Sequence, residues 1–338
     1  MQTPLHHSST SQATVYPGDT AARDRWILAQ RREAARKDLD PWRPAALFRE
    51  EEPDGTGAIV PVTTIFLTNR ECPWRCVECD LWRNTLTEPT PAGAIPAQIE
   101  FALEQLAASG AQLGRDGRGA IKLYNAGSFF DPRAIPPEDH LAIAEAVRGF
   151  DRVIVECHPA LIGDAVLRFR DLLPAEMEVA MGLETANPEV LDKLNKRLTL
   201  GQFRAAAEFV RRQGIALRVF LLVQPPFERE ALLWAERSLD FGFDCGATAA
   251  TLIPTRGGNG AMEALAASGD FAPPALATLE DAVDYGIGVG RVFADVWDLP
   301  RAFDCSGCCE ARVARLRAMN LSQVVAPRIG CEECGGRS

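Results

Sequence analysis

Residues 63–82 read TTIFLTNRECPWRCVECDLW, in which Cys72, Cys76 and Cys79 are separated by three and then two residues. The β-branched and apolar start of this stretch predicts a buried strand that ends just before the cysteines. Three thiolates from one loop suit a cubane iron-sulfur cluster, in which each cysteine normally holds one iron. The fourth iron then keeps an open coordination position, as a catalytic metal site requires. The alternatives are a zinc knuckle that recruits a fourth ligand, or three buried thiols.

The sequence around this loop alternates short apolar runs with longer stretches of helical spacing. Crossover helices between strands predict a parallel sheet, open or curled into a partial (β/α)6 barrel of the α/β class. The predicted division is an N-terminal extension with one helix (1–60), the barrel (61–255) and a C-terminal extension with a Cys-rich metal site (256–338). The predicted strands are 62–68, 120–125, 152–157, 178–183, 217–223 and 247–253, and the predicted helices are 19–37, 95–108, 137–149, 161–170, 200–213 and 228–240.

Composition excludes several classes of protein. The chain has 338 residues, with 36 Lys+Arg against 46 Asp+Glu and a net charge of −10, so it does not coat nucleic acid by charge alone. Its uncharged stretch at 57–69 is shorter than the roughly 18 apolar residues of a membrane span. The N-terminus lacks the basic start and apolar core of a secretory signal, which predicts a cytoplasmic protein. In a reducing cytoplasm its ten cysteines are expected to be ligands, nucleophiles or buried thiols rather than disulfides.

The cysteine triplet and the βα pattern that follows it resemble the radical SAM superfamily over about residues 60–255. In that superfamily the open iron of a 4Fe-4S cluster binds the amino and carboxylate groups of S-adenosylmethionine (SAM). One electron then splits SAM and gives a 5′-deoxyadenosyl radical. The resemblance therefore implies both cofactors and an electron donor such as flavodoxin or ferredoxin. The position before the third cysteine is aromatic in many members and is Glu78 here.

Further predicted site residues follow later strands, at the rim where βα enzymes keep their chemistry. By resemblance, the turn Ala126-Gly127-Ser128 faces the methionine amino group. Residues 181–196, MGLETANPEVLDKLNK, resemble the branch containing the Elongator catalytic subunit and the methylthiotransferases. This implies that Glu184 contacts SAM or substrate, while Lys196, and Arg218 as a second partner, pair with the methionine carboxylate. The competing interpretations are an ordinary βα turn, a surface lysine and a charge at the strand edge.

Cys157 and His158 lie together after the third predicted strand. A thiol there is a candidate to hold or reduce a radical intermediate, and the imidazole is a candidate acid or base near neutral pH. Satisfied packing residues are the alternative. Cys245 is predicted to be a buried thiol, and residues 257–260 a flexible loop over the barrel mouth.

The C-terminal tail carries Cys305, Cys308, Cys331 and Cys334 as two Cys-x-x-Cys pairs. Such pairs are a strong metal signal. Zinc would make the site a structural clip, whereas a second iron-sulfur cluster would serve as an electron relay or a substrate anchor. The neighbouring Cys309 is the predicted spare thiol.

Three runs resemble the radical SAM enzymes of archaeosine synthesis: IKLYNAGSFFDP (121–132), VAMGLETAN (179–187) and LRVFLLVQPPF (217–227). This resemblance implies a 7-deazaguanine-type base in tRNA as substrate. An RNA backbone requires local positive charge, so the basic helix at 19–37 and Arg312, Arg315 and Arg317 are predicted to flank the cluster end of the barrel. The rivals are a methylthiotransferase-like enzyme, a radical SAM enzyme for small molecules or peptides, and a non-catalytic, metal-stabilised RNA-binding module.

Overall fold

The computed structural model describes residues 16–31, 36–108, 119–297, 299, 305 and 307–333. Within these residues, eight strands form one curled sheet whose neighbours follow the order of the chain. The first two strands are antiparallel, and each later strand is parallel to the one before it. The strands are β1 Ala46–Pro53, β2 Ile59–Leu67, β3 Ala120–Asn125, β4 Arg152–Glu156, β5 Glu176–Glu184, β6 Ala216–Val223, β7 Ala249–Pro254 and β8 Val292–Ala294.

Helices connect the parallel strands and cover the outer face of the sheet. Helix α6 begins at a capping box. The Thr199 hydroxyl accepts from the Gln202 N–H, and the Gln202 side-chain oxygen accepts from the Thr199 N–H. The described helices are α1 Thr20–Gln30, α2 Ala94–Ala108, α3 His140–Ala146, α4 Asp164–Arg170, α5 Pro188–Lys193, α6 Leu200–Arg212, α7 Ala231–Asp244, α8 Ala261–Ser268, α9 Leu276–Ile287 and α10 Cys309–Ser322. Short 3-10 turns occupy Leu81–Asn84, Pro137–Asp139 and Pro159–Leu161.

Both faces of the sheet are packed, which is why its strands read as nearly continuous apolar runs. Outward side chains such as Leu123 and Val179 join the main core with the helices. Inward side chains, including Tyr124 and Ile154, fill the barrel interior. No helix in the described ranges is long and apolar enough to cross a membrane.

The prediction of an α/β partial barrel is confirmed, and all six predicted strands are present. The two edge strands β1 and β8 were not predicted. The sequence of β1, ALFREEEP, is too acidic to read as a strand, and β8 has only three residues. One edge strand thus comes from residues 1–60 and the other from 256–338, while the predicted three-part division of the chain stays a prediction.

The acidic residues of β1 have partners inside the barrel. Glu52 accepts hydrogen bonds from Lys122 on β3 and from Arg218 on β6. These cations lower the pKa of the buried Glu52 carboxyl to about 2, against the opposing effect of burial. Arg218 also binds Glu178, whose carboxylate is fully buried, with Nε 2.6 Å from Oε1. A charged network therefore occupies the part of the barrel where polar side chains of β1 reach the parallel strands.

Helix α10 packs against both β1 and β8, the two edges of the sheet. The side-chain amide of Asn320 accepts from the Ala294 N–H (2.7 Å) and donates to its carbonyl (2.9 Å). Gln323 makes the same pair of bonds to Val292, at 2.8 and 2.9 Å. These two side chains thus take the place of a ninth strand at the β8 edge. They satisfy backbone groups that an unpaired strand edge would leave open.

Candidate functional site

The predicted cluster-binding loop, residues 72–79 (the Cys loop), follows β2 at the carboxyl edge of the sheet. Its three cysteines are free thiols. Burial raises the pKa of Cys72, Cys76 and Cys79, the last to about 12. Thiols with such raised pKa values become good ligands only when a metal offsets the thiolate charge.

Backbone contacts fix the course of the Cys loop. The Val77 N–H donates to the Leu194 carbonyl (3.0 Å), and the Asn195 side chain donates to the Arg75 carbonyl (2.8 Å). Asn259 donates to the carbonyls of Val77 (2.8 Å) and Cys79 (3.1 Å). Residues 257–260, predicted as a flexible loop over the barrel mouth, thus contribute a buried brace. Asn195 lies in the run 181–196 and Asn259 in the loop 257–260, but the sequence predicts no role for either side chain.

A small second hydrophobic core packs around the Val77 side chain of the Cys loop. The Val77 side chain is fully buried among residues of α1, α5 and α8, including Ile27, Val190 and Met262. At the start of the loop, Glu71 accepts from Arg31 (2.8 Å) and Arg36 (2.6 Å). Helix α1 therefore holds the Cys loop in place through apolar contacts, and the arginines that follow the helix add ionic contacts.

The predicted glycine turn lies directly against the first cysteine. Gly127 has φ +148°, and a Cβ at this position would lie 3.2 Å from Cys72 Cβ. Only glycine fits this backbone and spacing easily. The Ser128 hydroxyl accepts from the His158 N–H (3.1 Å) and lies 3.4 Å from Cys157 Sγ. Ala126 belongs to the same turn, so these residues lie at one end of the barrel with the Cys loop.

Cys157 and His158 have satisfied surroundings. The Cys157 thiol is buried and lies 3.3 Å from the His158 carbonyl, and burial raises its pKa to about 12. Burial and the Lys196 charge lower the pKa of His158 to about 3. The ring stacks on Trp74 of the Cys loop. These contacts favour the packing interpretation, with a neutral imidazole and an un-ionised thiol.

Glu184 and Lys196 form an ion pair at the barrel mouth, with Nζ 2.7 Å from Oε1. Burial lowers the pKa of Lys196, but the Glu184 carboxylate outweighs it and the net shift is upward. Glu184 has φ +66°, at a bulge between β5 and β6. Such bulges and strained residues re-aim side chains and cluster at functional sites. A Cβ at Gly182 would lie 2.1 Å from Glu184 Oε1, so the missing side chain makes room for the pair.

Two further acidic residues approach this pair. Burial, and secondarily the Glu184 charge, raises the pKa of Glu78 to about 8, and Glu78 Oε2 has no hydrogen-bond partner among the described residues. Burial also raises the pKa of Glu156, at the end of β4, to about 8. From the sequence, Glu78 is only a departure from an aromatic position, and Glu156 has no predicted role.

Arg218 lies on β6 five residues before the strand ends, and the partners of its guanidinium are Glu52 and Glu178. Its role as a carboxylate partner of SAM stays a prediction. In the tail, the sulfur atoms of Cys305, Cys308 and Cys331 converge within 4.8 Å of one another. Cys334 lies outside the described residues.

Most of the predicted RNA-facing arginines are paired with carboxylates. Arg312 and Arg315 bind Glu280, and Arg315 is buried. Arg23 pairs with Asp192 in the same way. Arg317 is exposed on α10. Arginines that neutralise nearby acids offer less charge to a phosphate backbone, so the predicted positive rim has little support here.

The residues at the barrel mouth fit the cofactors that the resemblance implies. One loop beside a glycine turn carries three free thiols, which is the donor set that a cluster with an open iron requires. The buried side chain of Asn125, at the end of β3, has no hydrogen-bond partner for either its nitrogen or its oxygen among the described residues. Together with the unpartnered Glu78 oxygen, it supplies polar atoms of the kind that a polar cofactor would satisfy.

The curled parallel sheet and its rim loop define the class: the chain has the fold of the radical SAM enzymes, as its sequence resemblance predicted. The solved structure of methylornithine synthase superposes with a TM-score of 0.52 at 14% identity, over 78% of this chain and 70% of that one. A likeness at this identity shows the fold alone. No family model matches the chain.

Sequence comparison narrows the resemblance. The chain is 32% identical to archaeosine synthase subunit beta of Thermococcus kodakarensis over 154 residues, which are 43% of this chain and 46% of that protein. The protein of the same name from Methanosarcina acetivorans is 26% identical over 232 residues, or 65% of each chain. An uncharacterised protein of Methanocaldococcus jannaschii is 26% identical over 261 residues, covering 74% of this chain and 71% of that one. The predicted resemblance to the archaeosine enzymes is thus confirmed at the level of sequence.

Proposed function

We propose that this chain is a radical SAM enzyme that binds a 4Fe-4S cluster through Cys72, Cys76 and Cys79. The observation that carries the proposal is the convergence of the Cys loop with the glycine turn and the Glu184–Lys196 pair at one end of a partial barrel. When bound and reduced, the cluster would supply the one electron that splits the sulfur–carbon bond of SAM into methionine and a 5′-deoxyadenosyl radical. The reducing cytoplasm and a donor such as flavodoxin or ferredoxin suit this chemistry.

The chain's own residues have separate tasks in this proposal. Gly127 lies against Cys72, and the backbone of Ala126, Gly127 and Ser128 would meet the methionine amino group. Lys196 would pair with the methionine carboxylate, while Glu184 holds the ammonium of Lys196 at the mouth. The stacked Trp74 and His158 rings shield one side of the Cys loop, and the Ala160 N–H holds the imidazole in place.

The substrate that we propose is a 7-deazaguanine-type base in tRNA. The named relatives and the three sequence runs of the archaeosine type support it. The alternatives are methylthiolation and the modification of a small molecule or a peptide. The acidic net charge and the paired arginines do not favour any one of these substrates over the others.

SAM cleavage tests the enzyme proposal. Anaerobically reconstituted wild-type protein should contain cluster iron and, after reduction, release 5′-deoxyadenosine. The variant Cys76→Ala should lose both, because each thiolate holds one iron. Cys245→Ala is the matched control, since this buried thiol caps α7 away from the site. Full iron content and cleavage in Cys76→Ala would refute the assignment, and a reconstituted wild type without cleavage would favour the non-catalytic RNA-binding module.

A separate measurement tests the substrate. Bulk tRNA should bind at low salt. The logarithm of its affinity should fall linearly with the logarithm of the salt concentration, because each phosphate contact releases counterions. Mass spectrometry of nucleosides after incubation with SAM and reductant should show a changed 7-deazaguanine base. SAM cleavage without tRNA binding at low salt would leave the small-molecule or peptide alternative.

A further inference from the structure

Cysteines that lie before helix α10 in the sequence approach a cysteine that lies after it. Cys305 and Cys308 lie before or at the start of α10, and Cys331 lies after its end. The sulfur atoms of Cys305 and Cys331 are 3.7 Å apart although 26 residues separate them in the chain. Among the described residues, these three cysteines form the one group whose candidate ligand atoms all lie within 4.8 Å of one another.

The spacing of these sulfur atoms distinguishes two kinds of metal site. Four thiolates around one tetrahedral zinc, each with a bond of about 2.3 Å, place their sulfur atoms about 3.8 Å apart. In a cubane cluster each thiolate holds a different iron, so the sulfur atoms stand further apart. The observed 3.7 Å between Cys305 and Cys331 matches the single-ion geometry. The three thiols of the Cys loop, also described, form no such compact group.

A disulfide does not account for the approach. A disulfide requires an S–S distance of about 2.05 Å, whereas the sulfur atoms of Cys305 and Cys331 are 3.7 Å apart. The adjacent Cys309 is turned into the main core and is 5% exposed. Cys309 does not join the group. The three cysteines that do, Cys305, Cys308 and Cys331, all belong to the predicted Cys-x-x-Cys pairs.

The surroundings suit negatively charged sulfur. Cys308 is the N-cap of α10, where the helix dipole favours a thiolate. The Arg312 side chain hydrogen-bonds Cys308 and also donates to Glu280, with Nε 3.0 Å from Oε2. Such outer contacts orient metal ligands and stabilise their charge. The two cysteine segments also touch directly, since a Cβ at Gly307 would lie 2.4 Å from a carboxylate oxygen of Glu333.

We propose that Cys305, Cys308 and Cys331 hold a single zinc ion, with Cys334 of the second Cys-x-x-Cys pair as the fourth ligand. The ion fastens the segment after α10 to the segment before it. Because α10 packs against β1 and β8, the ion holds in place the helix that spans the open side of the barrel. The site is therefore a structural clamp, and it carries neither electrons nor substrate.

Metal analysis of the full-length chain tests this proposal without reference to activity. The protein is prepared with Cys72→Ala, Cys76→Ala and Cys79→Ala together, which removes the thiols of the other predicted site. This background should contain about one zinc per chain and only trace iron. Cobalt in place of zinc should give the intense visible bands of a tetrahedral thiolate site. An iron-sulfur spectrum in this background, no bound metal, or a Cys305–Cys331 disulfide under reducing conditions would each overturn the proposal.

Two neighbouring cysteines on α10 give a matched comparison. Cys308→Ala should lose the zinc, whereas Cys309→Ala, one residue further on, should keep it. Circular dichroism reports whether each variant is folded. If Cys308→Ala does not fold, zinc release from the wild-type chain by a thiol-blocking mercurial, followed with a zinc-sensitive dye, takes its place. Retention of zinc by folded Cys308→Ala, loss only in Cys309→Ala, or absence of zinc release from the wild type would refute the ligand set.

Discussion

The imidazole of His158 stacks on the indole of Trp74, with ring centroids 3.8 Å apart and planes inclined by 12°. The contact joins the Cys loop to the loop after β4. His158 Nδ1 accepts from the Ala160 N–H (3.1 Å), so the ring proton lies on Nε2, 3.1 Å from the Lys196 carbonyl. A neutral ring thus connects three loops of the candidate site.

This arrangement predicts a pH dependence of stability. Burial and the charge of Lys196 lower the folded-state pKa of His158 to about 3, below its ordinary value of 6.5. Protons then bind the unfolded chain more readily, so the stabilisation is present above about pH 6.5 and is lost as the pH falls toward 3. The variant His158→Asn keeps an acceptor for Ala160 but does not titrate. Urea unfolding between about pH 7 and pH 5 should show the wild type losing more stability than the variant. Equal losses would contradict the neutral buried ring.

A second prediction concerns the space beside Glu184. An alanine Cβ at Gly182 would lie 2.1 Å from Glu184 Oε1 and 2.7 Å from Lys196 Nζ. Gly182→Ala should therefore displace the ion pair and weaken SAM binding about tenfold or more, measured by calorimetric titration of the reconstituted protein. Gly163→Ala is the control, because nothing lies within 4 Å of the added Cβ there. Unchanged SAM affinity in Gly182→Ala would separate the Glu184–Lys196 pair from SAM binding.

Arg218 provides a third test. Arg218→Met leaves the carboxylates of Glu52 and Glu178 without their shared partner, although Lys122 still contacts Glu52. Removing one partner of a buried pair costs about 3–5 kcal/mol of folding free energy, measurable by urea unfolding. The exposed pair of Arg212 with Glu208 gives the comparison, since Arg212→Met should cost no more than about 1 kcal/mol. A stable Arg218→Met with weakened SAM binding would instead support Arg218 as a carboxylate partner of SAM.

The six central strands were predictable because a strand that is buried on both faces appears in the sequence as a nearly continuous apolar run. The strand β1 was not, because its glutamates satisfy Lys122 and Arg218, which lie far away in the sequence. A single sequence shows charges but not their pairing. Length limited the prediction of β8, since three residues carry no measurable period.

The candidate site shows the same division. The spacing of the cysteine triplet and the following glycine turn were visible as motifs. The bracing role of Asn195 and Asn259 was not, because each acts through hydrogen bonds to carbonyls of the Cys loop that exist only in the folded chain. Gly182 is likewise an ordinary strand glycine until the folded chain brings Glu184 and Lys196 beside it.

The edge of β8 provides the last prediction. Asn320 satisfies both backbone groups of Ala294, at 2.7 and 2.9 Å. In Asn320→Ala these groups lose their partner, and an unsatisfied buried group costs about 1–3 kcal/mol. The variant should unfold at lower urea, and the Ala294 amide should exchange its hydrogen faster, because α10 no longer caps the strand. Arg317→Ala on the same helix is the control, since that side chain is exposed and away from the edge. Equal exchange at Ala294 in both variants would show that the helix covers the edge by packing alone, without the amide bonds.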